Sequence, residues 1–275
     1  MGPSERLGRS LSLLLVLFTS CGGRGGPIGH PTEPDELVLR LETGGGLVPL
    51  ELGLTELPGF SIYGDGTAIV APSPDPKEPF PELAVLRFTR AGVRSLLSAA
   101  EEAGLMEDRR FEVPDLYDAT TTTFTLVAEG ERHVTAVYAL GYPGTEGGSD
   151  EERLARAELL ALAERLRDPA AWLPGQVDEA GPYRFPALRV YVLPGPESMD
   201  PGYRPEGLAW PLPEPPASFG RPAEAPGVRC GVVEGRVLTD LLPRLEGTDQ
   251  ATVWEWRDEP YRLAFRPLLP DESGC

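Results

Sequence analysis

Residues 121–140 constrain the fold more than any other segment. The runs TTTFTLVA (121–128) and RHVTAVYAL (132–140) are rich in β-branched and aromatic residues, and Glu129-Gly130-Glu131 lies between them. In the second run Val134, Ala136, Tyr138 and Leu140 alternate, which puts an apolar face at the period of a strand. Two such runs joined so briefly form an antiparallel hairpin. An isolated hairpin is marginal in water and needs more strands, or a helix laid on its apolar face. The chain supplies one just upstream. Val93, Leu96, Leu97 and Ala100 fall at i, i+3, i+4 and i+7, with Thr89 placed to cap the start and Gly104 to end the last turn.

The rest of the chain reads the same way. Strands are expected at Leu37–Leu41 and Thr67–Ala71, with turns at Gly44-Gly45-Gly46 and Gly64-Asp65-Gly66. A second helix follows Gly147-Gly148. Ser149 and Glu152 have the spacing of a capping box, Leu159, Leu162, Ala163 and Leu166 form its stripe, and Pro169 stops it. Beyond it come strands at Ala187–Leu193 and Val228–Val233. A short helix carrying Val237, Leu238, Leu241, Leu242 and Leu245 precedes a hairpin of Ala251–Trp256 and Tyr261–Arg266, turned at Asp258-Glu259-Pro260. Proline-rich loops occupy 72–82 and 194–227. The predicted class is therefore α+β, with antiparallel sheets and helices packed on one face.

The two halves, 37–173 and 174–275, share an order of strand, proline-rich loop, helix and hairpin, which reads either as two similar β-α-β-β lobes or as chance recurrence of an order common in α+β folds. GVRSLLSAA (92–100) echoes VLTDLLPRL (237–245), and the hairpin at 123–140 echoes 251–268.

Residues 1–36 stand apart from that pattern. Arg6 and Arg9 precede Leu11–Phe18, which is apolar except for Ser12, and Thr19, Ser20 and Cys21 follow. A basic start and a short apolar run are the marks of a secretion signal over 1–20, and the run falls far short of the roughly 20 apolar residues of a span. Residues 22–36, GGRGGPIGHPTEPDE, read as a flexible spacer. The Cys at the expected cleavage point resembles the lipobox of bacterial lipoproteins, with Phe18 standing where that motif usually has Leu. The resemblance implies a diacylglyceryl group on Cys21 and attachment to a membrane on the extracytoplasmic side. Two acyl chains suffice for stable anchoring.

Charge bears on partners. The chain carries a formal charge of −18, and residues 1–20 hold Glu5 against Arg6 and Arg9, so the remainder is more acidic still. Such a surface repels nucleic acid and anionic bilayers alike, so no nucleic-acid partner is expected and the lipid must do the holding. With Cys21 lipidated, Cys230 and Cys275 remain, and an even pair in an exported protein reads as a disulfide, worth roughly 4 kcal/mol in the chain-entropy model. The alternatives are free thiols or a metal site, and no nearby histidine supports the latter.

Several segments together, 41–70, 99–105, 121–141 and 228–275, resemble a set of uncharacterised exported lipoproteins of high-GC bacteria. That family implies a lipoprotein context and no assigned activity.

Chemistry is sparse. No GxSxG, HExxH, P-loop or CxxC motif occurs, and His30 and His133 are the only histidines. No catalytic residue, metal ligand or cofactor site is expected. Asp115 and Asp118, flanking Tyr117, read either as a cation or sugar site or as a solvated turn. Trp254 and Trp256 share a strand face and serve either as core or as an exposed platform. Tyr203 and Trp210, in the long proline-rich loop, serve either as a partner-binding lid or as anchors for the loop. The expected role is non-catalytic: a lipid-anchored protein that binds or scaffolds an envelope protein or glycan. The alternative is a carboxylate-based hydrolase of envelope glycan, which needs two carboxyls about 5–10 Å apart in a cleft.

Overall fold

The computed structural model of the chain describes residues 26–73, 75–145, 147–195 and 207–275. The N-terminal lobe opens with β1 (Leu37–Gly44), α1 (Leu50–Thr55), β2 (Phe60–Tyr63), β3 (Thr67–Val70) and β4 (Ala84–Phe88). It continues through α2 (Arg90–Glu102), β5 (Arg109–Phe111), β6 (Thr121–Ala128), β7 (Glu131–Tyr138), α3 (Asp150–Arg167) and α4 (Pro169–Trp172). Next come β8 (Val177–Pro182), β9 (Ala187–Pro194), β10 (Leu208–Ala209), β11 (Arg221–Pro222) and β12 (Arg229–Glu234). The chain ends through α5 (Gly235–Leu245), β13 (Val253–Trp256) and β14 (Glu259–Pro267).

These form two sheets that are mostly antiparallel. The first runs β5-β7-β6-β1-β2-β3-β4-β8 and the second β10-β13-β14-β9-β12-β11. The α+β class expected from the sequence is the class observed.

Both long helices of the first lobe start and stop as their residues dictate. Thr89 accepts a hydrogen bond from the Gly92 N–H. At the other end Gly104 has φ +76, the Gly104 N–H donates to Glu101 and the Leu105 N–H to Ala100, which is a Schellman close. Ser149 likewise caps α3 through the Glu152 N–H. The buried stripes of both helices lie on one face of the first sheet, against Phe60, Ile62, Phe124 and Leu126. A bulge in β1 between Leu37 and Leu39 lets Val38 and Leu39 both face the helices. It also returns Arg40 to the opposite face beside Ser61 and Tyr63.

That opposite face meets the second lobe. Leu37, Tyr63, Ile69 and Leu83 cluster there with Leu269 of the C-terminal tail. The tail is tied to both lobes. Asp271 accepts from Arg40 at 2.7 Å and Tyr63 at 3.0 Å, while Glu272 receives a two-pronged bond from Arg266 at 2.6 and 2.8 Å. A disulfide joins Cys230 to Cys275, with sulfurs 2.00 Å apart.

Several expectations change. The stretch expected as a flexible spacer packs on the fold over its described residues: Ile28 packs against the first core, the Glu129 N–H donates to the Gly29 carbonyl while the Gly29 N–H donates to the Glu129 carboxylate, and the Gly64 N–H donates to the Glu36 carbonyl. Shape fit, not hydropathy, holds it: a Cβ at Gly64 would lie 2.5 Å from Thr32 backbone. Pro169 does not only stop α3. It opens α4 in the first-turn position, where its missing N–H costs nothing, with Asp168 as cap. The second hairpin turns at Arg257-Asp258, φ 52 and 66, rather than at Asp258-Glu259-Pro260. β2, β4, β8 and α1 are too short or too proline-flanked to stand out in the sequence.

The lobes share their element order but not their strand placement. In the first sheet β6, the leading hairpin strand, pairs with β1; in the second it is β14, the trailing strand, that pairs with β9. The sequence echo equates β6 with β13, yet these occupy different places in their sheets.

Candidate functional site

Two of the aromatic residues singled out by sequence, Trp210 and Trp254, fall into core positions. Trp210 is 7% exposed, its indole N–H donates to the Glu214 carbonyl at 2.7 Å, and its ring meets Tyr261 edge-on. Trp254 is 2% exposed in the same cluster. Trp256 packs beside it, half-buried, under the Arg257 guanidinium. Burial removes Trp210 and Trp254 from any exposed platform or lid: both anchor the second core. Tyr203 and Cys21 lie outside the described residues. Asp115 and Asp118 have φ 63 and 61 and are exposed. They form a solvated turn, and among the described residues no cluster of His, Cys, Asp and Glu is placed to hold a metal ion. His133 pairs with Leu126 within the first hairpin.

A concave feature lies elsewhere, at the end of the first sheet where β1 finishes and β6 begins. It is an open cleft of about 620 Å³, within the usual range of ligand pockets. Leu41 and Thr43 of β1, Val70 of β3 and Thr122 of β6 form its floor. Leu52 and Thr55 of α1, with Glu56 and Leu57 just after it, form one side. Leu160, Ala163, Leu166 and Arg167 enter from α3. The second lobe adds Gln250 and Phe265, and the loop at 72–82 adds Phe80, whose ring stands edge-on to Phe265.

Helix α1 exists because of its neighbours. LELGLT alternates leucine with polar residues, which is a strand's period, but Pro49 and Pro58 bracket it and confine it to six residues. None of the six is buried. It is held through its ends and partners: Glu51 pairs with Arg262, the Glu56 carbonyl accepts from Arg266 at 2.8 Å, and Leu54 packs on the second sheet. Its approach is apolar and exposed: Leu47 at 85%, Val48 at 45% and Leu50 at 47%. These residues extend the apolar lining of the cleft onto the surface. Sequence reasoning missed this site, since an alternating leucine run between prolines gives no helix signal. The surplus of surface leucines at 47–57 was the available clue.

Glu56 is the one carboxylate in the lining. Burial, and then the neighbouring charge of Glu42, raise its pKa, and a hydrogen bond from the Gly45 N–H works against them. The carboxylate fits beside Gly44 because that residue has no side chain: a Cβ there would sit 2.6 Å from Oε2. Its neighbour Glu42 lies outside the lining, so the cleft itself presents one carboxyl where glycoside hydrolysis uses two. The lining holds no histidine, cysteine or lysine to act as base or nucleophile. What it can do is exclude water around an apolar group. Among the described residues no helix is long and apolar enough to cross a membrane. No family model matches the chain, and neither a curated protein nor a solved structure matches it.

Proposed function

We propose that the chain is a lipid-anchored, extracytoplasmic binding protein without catalytic activity, and that the aliphatic cleft is where it binds. The lining carries the reading. It is aliphatic on most sides, it joins both lobes, and it holds one carboxylate and no histidine, cysteine or lysine. Sugars favour exposed aromatic faces, so the burial of Trp210 and Trp254 points away from glycan and towards an apolar ligand. The anchor rests on the sequence at Arg6 to Cys21 and fits a disulfide-bonded chain, since disulfides persist in oxidising compartments.

Two measurements test this. The intact mass of protein purified from host membranes is expected to match residues 21–275 plus a diacylglyceryl group; a mass without lipid removes the anchor. A series of alkyl alcohols is expected to bind more tightly with each added methylene, by up to about 0.8 kcal/mol, until the cleft is filled. Affinity that ignores chain length rules out the cleft as an apolar site.

A further inference from the structure

We infer that the cleft wall formed by α1 is a movable flap, latched to the second lobe by the Glu51–Arg262 ion pair, and that its release widens the mouth through which an apolar ligand enters; this rests on the cleft being a binding site. The other walls are fixed by burial. Leu41 of the floor is buried, and α3 buries Leu159, Leu162, Ala163 and Leu166. Helix α1 buries none of its six residues, and no side-chain hydrogen bond caps its start. A helix of that length does not hold itself in water. Little buried apolar surface and an exposed backbone ladder make a segment that opens locally before the rest of the fold.

Its polar fastenings to the second lobe, among the described residues, both come from β14. Arg262 pairs with Glu51, and four residues along the strand Arg266 donates from Nε to the Glu56 carbonyl. The two arginines differ. Both terminal nitrogens of Arg266 are held by Glu272, which makes it a fixed post. The Glu51–Arg262 side chains are 20% and 33% exposed, so water and salt compete for that pair, and it is the fastening that gives first. The chain entering α1 is free to follow. Gly45 has φ +80, and a Cβ there would meet nothing within 4 Å. Leu47 and Leu50 stay exposed, so their side chains do not tie the approach down. Glu51 itself does not line the cleft, and its replacement leaves the lining unchanged.

The test combines hydrogen exchange, read by mass spectrometry on the full chain, with stopped-flow binding of N-phenyl-1-naphthylamine, a neutral apolar fluorophore. In the wild type the amides of residues 53–56 are expected to exchange roughly tenfold or more faster than those of β14, which is paired with β9. Glu51→Gln is expected to speed both exchange over 47–57 and probe association by roughly two- to fivefold, with β14 exchange and melting temperature unaltered. Asp240→Asn removes the same charge from the exposed Arg236–Asp240 pair on α5 and is expected to change neither rate. Raising salt from about 0.05 to about 0.5 M is expected to bring the wild type towards Glu51→Gln and to leave that variant where it was. Exchange over 47–57 as slow as in β14, or rates that Glu51→Gln leaves unchanged, overturns the flap while the cleft stands. If the probe binds none of these proteins, the cleft is no apolar site and both readings fall.

Discussion

The Arg266–Glu272 pair shows what single residues contribute here. Their side chains are 9% and 15% exposed, and the bond is two-pronged. Burial alone would raise the Glu272 carboxyl, but Arg266 and the Leu269 N–H outweigh it and hold the pKa below the ordinary glutamate value. A carboxyl held low in the folded state stabilises it above the unfolded pKa, and that contribution is lost as pH falls through the folded value. Arg266→Ala, which strands Glu272 half-enclosed, is expected to cost about 3 kcal/mol in urea unfolding at pH 7. The gap between wild type and Glu272→Gln is expected to narrow below about pH 4; a constant gap would mean the pair adds no charge-dependent stability. Trp210→Ala is expected to cost about 3–5 kcal/mol, and a variant with wild-type stability would return Trp210 to the role of a partner contact. Sequence could place Trp210 only in a loop, because hydropathy does not say whether a loop aromatic is swallowed. That depends on Tyr261 and the Glu214 carbonyl, distant or irregular partners that pattern does not reveal.

At the scale of elements, legibility followed length and local chemistry. Helix α2 was readable to its caps because Thr89, the stripe and Gly104 act within one segment. Hairpin β6–β7 was readable because Glu129-Gly130, φ 53 and 79, is a two-residue turn of the kind that matches strand twist. The second hairpin has the same turn with poorer residues, Arg257 and Asp258, while Pro260 puts the sequence signal for a turn inside the following strand. Since neither residue is glycine, Asp258→Gly is expected to raise stability by about 0.5–1 kcal/mol; a loss in thermal unfolding would show that the Asp258 side chain has a role of its own. The short strands and α1 were unreadable for the opposite reason. Their positions come from the sheet and from the second lobe, so the cleft, built largely from α1 and strand ends, was invisible as well.

The whole molecule has two poles. Gly29 bonds to Glu129 at one end of the first sheet, and Thr122 lines the cleft at the other. The six residue steps from Thr122 to Ala128 along β6 put roughly 20 Å between them at the rise of a strand. Ile28 packs on the first core, so few residues of sequence separate Cys21 from the folded body. If Cys21 carries the proposed anchor, the attachment lies on the Glu129-Gly130 side of the sheet, and the expected orientation turns the cleft away from the bilayer. Ligand then arrives from the far side and not by lateral transfer from the anchoring leaflet. The anionic surface adds to this by resisting close adsorption. Fluorophores placed through Glu131→Cys and Leu47→Cys, in protein anchored on vesicles, check the orientation with a quencher fixed at the lipid headgroups. Both sites are exposed, and the two remaining cysteines are joined to each other. The label at 131 is expected to be strongly quenched and the label at 47 nearly untouched. Equal quenching would mean that the molecule lies flat, and the reverse order would bring the apolar lip of the cleft to the membrane and make the bilayer itself the source of the ligand.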